Sequence, residues 1–74
     1  MKTEAGAEIF DIIVSKQSTG DISQLFSETY AIIEMNLSIN AAMKAAKECK
    51  RRLSNNNVYI VTSIAGQHFI IATF

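Results

Sequence analysis

The pattern of apolar and polar residues changes once along the chain, near residues 55–57, from a helical period to a strand-like one. Upstream of that point apolar residues recur every three or four positions, which is typical of helices that bury one face. We predict three such helices, over about residues 4–16, 22–35 and 39–53. Ser38 is expected to cap the third, because a serine side chain can accept a hydrogen bond from an N–H group left free at a helix start.

The first two predicted helices rest on apolar arcs of the helical wheel. In the first, one arc carries Ile9, Phe10, Ile13 and Val14, with acidic and polar residues opposite. The second is expected to begin after Asp21 or Ser23, both of which suit a helix N-terminus. Its broad apolar face contains Ile22, Leu25, Phe26, Thr29, Tyr30, Ile32 and Ile33.

Downstream of residue 57, two β-rich segments flank Ala65 and Gly66. This arrangement predicts a β-hairpin formed by residues 58–63 and 68–74. Symmetric pairing places two sets of side chains on opposite faces of the hairpin. One face carries Val58, Ile60 and Thr62 beside Thr73, Ile71 and Phe69; the other carries Tyr59, Val61 and Ser63 beside Ala72, Ile70 and His68.

Both faces of the predicted hairpin are apolar, whereas a hairpin with one face in water alternates between apolar and polar residues. One face is expected to cover the helices, and a partner subunit is the simplest cover for the other. We therefore predict a homodimer through the hairpin, with an interface that contains Tyr59, Val61, Ile70 and Phe74.

The fold class expected from these elements is α+β: a three-helix bundle followed by a C-terminal β-hairpin, in a single domain over residues 1–74. The chain has one cysteine, Cys49, and one histidine, His68, so an internal disulfide and a His/Cys metal cluster are not expected. No cofactor is expected either. The sequence has no phosphate-binding loop, dinucleotide fingerprint, nucleophile elbow or paired acid–base motif, and we predict that the protein is not an enzyme.

No apolar run approaches the roughly 20 residues that a membrane helix needs. The first 15 residues do not combine a basic region with an apolar core, so no secretory signal is visible. We therefore expect a cytoplasmic protein that does not enter a membrane.

Charge is distributed unevenly along this neutral chain. Residues 1–36 contain two basic and six acidic residues, whereas residues 37–74 contain five basic residues and one acid. The five bases are Lys44, Lys47, Lys50, Arg51 and Arg52. On a helical wheel Asn40, Lys44, Lys47 and Arg51 fall within about 60° of arc, away from the apolar positions of the third helix. We call these four residues the basic stripe.

The basic stripe admits two interpretations. Lysine and arginine can neutralise phosphates, and an asparagine near a helix start can reach base edges in DNA. Alternatively, cations near the end of a surface helix simply complement the helix dipole and keep the helix soluble.

The segment from Ala31 to Lys50 resembles the helix-turn-helix of winged-helix DNA-binding domains. The features that match are the end of a helix, a turn at residues 35–37, Ser38 as a cap, and small or apolar residues at positions 42, 46, 49 and 53. Three helices followed by a hairpin also match the order of that fold, in which the hairpin is the wing. The resemblance covers residues 21–74 loosely and 31–53 best.

This resemblance implies a small DNA-binding transcriptional regulator that inserts its third helix into the major groove of double-stranded DNA. Asn40 and Met43 would lie nearest the bases. Lys44, Lys47 and Arg51 would hold phosphates, flanked by Lys50 and Arg52. The alternative is a protein-interaction module, such as a small inhibitor, adaptor or accessory subunit. It would present the basic helix to an acidic protein surface, or the apolar hairpin to a partner.

Overall fold

The computed structural model describes residues 9–74, which form one four-stranded antiparallel sheet with a helix on each face. In chain order the elements are β1 (Phe10–Ser15), α1 (Ile22–Ser27), β2 (Tyr30–Leu37), α2 (Ile39–Arg52), β3 (Asn57–Ile64) and β4 (Gln67–Thr73). The strand order across the sheet is β2-β1-β3-β4, so β1 and β3 are central while β2 and β4 are the two edges. The expected three-helix bundle followed by a wing is therefore wrong, although the chain still combines helices with strands.

The first predicted helix is wrong where the structure describes it. Residues 10–15 form strand β1 at the centre of the sheet, paired with β2 on one side and β3 on the other. Residues 4–8 of that predicted helix lie outside the described residues. Because β1 is covered on both faces, its residues Ile12, Ile13 and Val14 are all apolar and do not alternate with polar ones. A short apolar run of this kind matches a helical arc as well as a buried strand.

The second predicted helix is wrong over most of its length. Only Ile22–Ser27 is helical, and the Asp21 side chain caps this helix by accepting a hydrogen bond from the Ser23 N–H at 2.9 Å. Residues from Tyr30 onward form β2, in keeping with the aromatic and β-branched residues at its start. The helix expected before the turn at residues 35–37 is thus a strand, and the helix-turn-helix arrangement is not formed.

The third predicted helix is confirmed as α2, and the Ser38 hydroxyl accepts a hydrogen bond from the Ala41 N–H at 3.3 Å, as a cap does. The helix packs across β1 and β3 through three small residues, Ala42, Ala46 and Cys49. They close a core on this face of the sheet, the α2 face, with Phe10, Ile12, Val14, Val58 and Ile60.

The opposite face of the sheet, the α1 face, is covered by α1. Leu25 of this helix is fully buried against Ile13, Tyr59 and Val61, with Ile22, Phe26 and Ile70 at the margin. The Tyr59 hydroxyl donates a hydrogen bond to the Gln17 carbonyl at 2.6 Å and accepts one from the Thr19 N–H at 3.1 Å. These bonds tie the connection between β1 and α1 to the sheet.

The C-terminal hairpin is confirmed, with Ala65 and Gly66 as its two-residue turn. Both turn residues have positive φ, 52° and 80°, which is the geometry of a type I′ turn. Near the turn the predicted pairs Val61–Ile70, Thr62–Phe69 and Ser63–His68 are confirmed. Farther away a bulge shifts the register by one residue, because Ile60 pairs with Ala72 and leaves Ile71 as the extra residue.

Candidate interaction surfaces

The basic stripe lies on the side of α2 that points away from the sheet. Its four residues are all exposed, whereas Ala42, Ala46 and Cys49 on the other side of the helix are buried. No other element of the described residues lies on this face of the sheet, so α2 forms a ridge. Among residues 9–74, Lys44 and Lys47 have no acidic group within salt-bridge distance.

Other predicted DNA contacts are already engaged within the chain. Arg51 of the stripe forms an ion pair with Glu48, one turn back on the same helix. Lys50 donates hydrogen bonds to the carbonyl oxygens of Ser54 and Asn56, at 3.2 and 2.7 Å, and so stabilises the turn after α2. Met43 packs against the core of the α2 face and is half-buried, so it is poorly placed to contact a base. The α2 ridge therefore presents Asn40, Lys44 and Lys47 most freely.

The residues predicted for a dimer interface are mostly inside the molecule. Tyr59 and Val61 are buried beneath α1 of the same chain, and Ile70 packs at the edge of that cluster. Phe74 packs against the core of the α2 face. The second cover that the apolar hairpin needed is thus α1, so the face of the hairpin gives no reason to expect a partner subunit.

Strand β2 carries an unusual concentration of exposed apolar side chains. Tyr30, Ile32, Ile33 and Met35 are 40%, 49%, 41% and 55% exposed. Antiparallel partners lie on the same side of a sheet, so Ile32, opposite Ile13, belongs to the α1 face. Phe26 of α1 contacts the ring of Tyr30 at the start of β2, with ring centroids 5.3 Å apart, but Ile32 stays half-exposed. We call this strand, whose outer side pairs with no other strand of residues 9–74, the β2 edge.

A cleft of about 230 Å³ lies where the β2 edge begins. It is lined by Val14, Ser15, Lys16, Thr29, Tyr30, Ala31 and Asn56. The Ser15 hydroxyl is not free to bind a ligand there, since it donates to the Thr29 carbonyl at 3.1 Å and accepts from the Gln17 N–H at 3.1 Å. Because Val14, Tyr30 and Ala31 supply apolar walls, the cleft is suited to an apolar side chain, and Lys16 is part of its lining.

The β2 edge is not visible in the sequence pattern, because that pattern places Tyr30, Ile32 and Ile33 on the apolar face of a predicted helix. The available signal was local: an aromatic and two adjacent isoleucines within four residues, a composition that favours strands. Even so, a strand assignment would not have shown that β2 is an edge, since that depends on which strands pair.

The described residues contain no group of three or more His, Cys, Asp or Glu side chains arranged to hold a metal ion. Neither α1 nor α2, the helices of residues 9–74, is long and apolar enough to cross a membrane. No family model, curated protein or solved structure matches the chain. The surfaces themselves are therefore the basis for a functional proposal.

Proposed function

We propose that the protein is a protein-interaction module that binds an extended segment of a partner by strand addition to the β2 edge. One observation carries this proposal: every residue from Tyr30 to Asn36 is exposed on an edge strand, although four of them are large and apolar. Edge strands usually carry lysines, prolines or several charges that prevent pairing with another chain. In β2 the only charged residue is Glu34.

The first half of β2 is the best position for an added strand. Pairing with β1 is regular from Tyr30 to Ile32. Beyond Ile32 the register of this pairing shifts twice, opposite residues 10–13 of β1. Asn36, at the second of these shifts, has φ of 63°, and its N–H donates to the Asp11 carboxylate at 3.1 Å. Because bulges twist an edge away from a partner, main-chain pairing should concentrate near the cleft.

The charges around the β2 edge specify the chemistry of the partner strand. Lys16 lies at the start of the edge, beside the cleft, and Glu34 lies near its centre. The segment that fits is apolar at alternate positions, places one apolar side chain in the cleft, and carries an acid near Lys16 and a base near Glu34. Main-chain hydrogen bonds supply affinity in such complexes, and the alternate side chains supply specificity.

Selection of binders from a displayed library of random peptides tests this proposal, and it does not require the natural partner to be identified first. We expect selected peptides with alternating apolar residues that bind the wild-type protein and lose at least tenfold in affinity for I32K. The matched control is I71K, which places the same charge on a similarly exposed isoleucine of β4 and should leave binding unchanged. Chemical shift changes in the bound protein should map to β2. Peptides that bind I32K as tightly as wild type, or that shift α2 instead, would contradict strand addition at β2.

Nucleic-acid binding is a second candidate, favoured by the exposed and largely uncompensated basic stripe. Because residues 31–53 do not form a helix-turn-helix and Met43 packs against the core, the stripe is suited to contacts with DNA phosphates but not to sequence-specific contacts with bases. Three contacts, from Lys44, Lys47 and Arg51, predict that log affinity for duplex DNA falls with log salt concentration with a slope of about −3. The variant K44E/K47E should lose this binding while its circular dichroism spectrum stays unchanged. No detectable binding of the wild-type protein to random duplex DNA at low salt would exclude this function.

A further inference from the structure

Strand β4, the other edge of the sheet, contains no Asp, Glu, Lys or Arg in its seven residues. Phe69 is 41% and Ile71 is 47% exposed on this strand. An edge strand with an unpaired row of N–H and C=O groups and no charge lacks the usual protection against pairing with another chain.

Neither helix of the described residues covers the part of β4 nearest the turn on the α2 face. Phe69 pairs with Thr62, and Gln67 pairs with Ile64, so Phe69 and Ile64 both lie on that face. The helix α2 packs over β1 and β3, and its core reaches only Ala72, at the far end of β4, and Phe74, just after that strand. Phe69 and Ile64 therefore remain exposed beside the helix.

We propose that β4 pairs with β4 of a second copy of this chain, antiparallel and about a twofold axis between Ile70 and Ile71. In that register Phe69 lies opposite Ala72 of the second copy, and His68 lies opposite Thr73. At the axis Ile70 lies opposite Ile71 of the second copy, and Ile71 lies opposite its Ile70. In each of the two outer pairs, both side chains lie on the same face of the sheet. The bulge at Ile71 makes this possible: Phe69 and Ala72 both lie on the α2 face, and His68 and Thr73 both lie on the α1 face.

Size and charge both favour a second copy as the occupant. The largest side chain of the edge, Phe69, lies opposite a small one, Ala72, and the symmetry repeats this match on the other side of the axis. Because β4 has no Asp, Glu, Lys or Arg, self-pairing brings no such charges together, and the register places His68 opposite Thr73 and not opposite its own copy. In β2, by contrast, a twofold axis near the centre of the strand would bring Glu34 close to its own copy.

The dimer would be an eight-stranded sheet with β2 at both outer edges. A twofold axis perpendicular to the sheet keeps equivalent faces on the same side, so both α2 helices and both basic stripes would lie on one face. This arrangement goes beyond the proposed function and is independent of it, since the β2 edges stay free for a partner segment.

Sedimentation of the purified chain at about 100 μM tests the dimer, because this concentration exceeds the dissociation constant of a micromolar dimer about a hundredfold. Wild-type protein should sediment as a dimer and I71K as a monomer. The matched control, I32K on the β2 edge, should remain a dimer. A monomeric wild-type protein would overturn the proposal. So would a dimer that I32K disrupts and I71K leaves intact.

Cross-linking gives a second readout that does not depend on a destabilising charge. The native Cys49 is buried, so an introduced thiol can be oxidised selectively. Under mild oxidation I71C, whose thiol lies at the twofold axis, should form a covalent dimer. I33C, at a comparably exposed position of β2, should remain monomeric over the same time. Preferential cross-linking of I33C would place the contact at β2 and refute pairing through β4.

Discussion

The Tyr59 hydroxyl joins two parts of the chain that are far apart in sequence. The ring is buried beneath α1, and the hydroxyl bonds the Gln17 carbonyl and the Thr19 N–H in the connection that leads to this helix. A single buried side chain therefore both fills the core of the α1 face and positions the segment that brings α1 over it.

Replacing Tyr59 by phenylalanine keeps the ring and removes both hydrogen bonds. We expect Y59F to lower the free energy of unfolding by about 1–2 kcal/mol, because the Gln17 carbonyl and the Thr19 N–H lose their partner in a partly buried place. Denaturant unfolding measures the change as a shift in midpoint at constant m value. The control Y30F, on an exposed ring, should change stability by less than about 0.5 kcal/mol. A loss of stability in Y59F as small as that expected for Y30F would mean that the Tyr59 hydrogen bonds contribute little.

Lys50 shows how an exposed charge in the sequence acquires a local structural role. Its ammonium group completes the end of α2 by bonding the carbonyl oxygens of Ser54 and Asn56. Cations at a helix C-terminus also interact favourably with the helix dipole. By sequence Lys50 is one of the five bases between residues 44 and 52, but its contacts assign it to the connection between α2 and β3.

Among the elements, the hairpin turn carries a residue that does not suit its conformation. Ala65 has φ of 52° and Gly66 has φ of 80°. A side chain with a Cβ atom is strained in this left-handed region, and asparagine is the residue that tolerates it best after glycine. Asn-Gly is correspondingly the preferred pair for a type I′ turn.

We expect A65N to raise the free energy of unfolding by about 0.5–1 kcal/mol, because it relieves strain at this turn without removing a contact. Thermal or denaturant unfolding measures the gain. The opposite change, G66A, should destabilise the protein although open space surrounds the added Cβ, since only the backbone conformation opposes it. A stabilising G66A would contradict the assignment of strain to backbone conformation.

The elements β1 and β2 show why a helical period is weak evidence in a short segment. Residues 10–14 contain four apolar residues in five positions, and so short a run places some of them on one helical arc whatever the structure. In the fold the same run is explained by burial on two faces of a central strand. The helix α2, by contrast, has fourteen residues with a cap and a clear apolar side, and its prediction is confirmed.

For the molecule as a whole, the strand order predicts how stability is distributed. Amide protons of β1 and β3, which bond neighbours on both sides, should exchange most slowly with solvent, and those of β2 and β4 should exchange faster. Hydrogen exchange followed by NMR at low protein concentration measures this order. At high concentration β4 should gain protection through pairing with a second copy while β2 does not. Slowest exchange in β2 would contradict the strand order, and equal gains in β2 and β4 would contradict pairing through β4 alone.

Local features of the sequence are sufficient for α2, its Ser38 cap, the hairpin turn and the exposure of the basic stripe. Each depends on residues that are close together in sequence, so local hydrogen bonds and backbone preferences are enough to determine it. The states of residues 10–15 and 30–37 were decided by tertiary pairing. Only the sheet gives the apolar residues of β1 two faces to fill, and residues 30–37 are extended because they pair with β1. The candidate binding edges likewise exist only in the fold, since the order β2-β1-β3-β4 determines which strands remain unpaired.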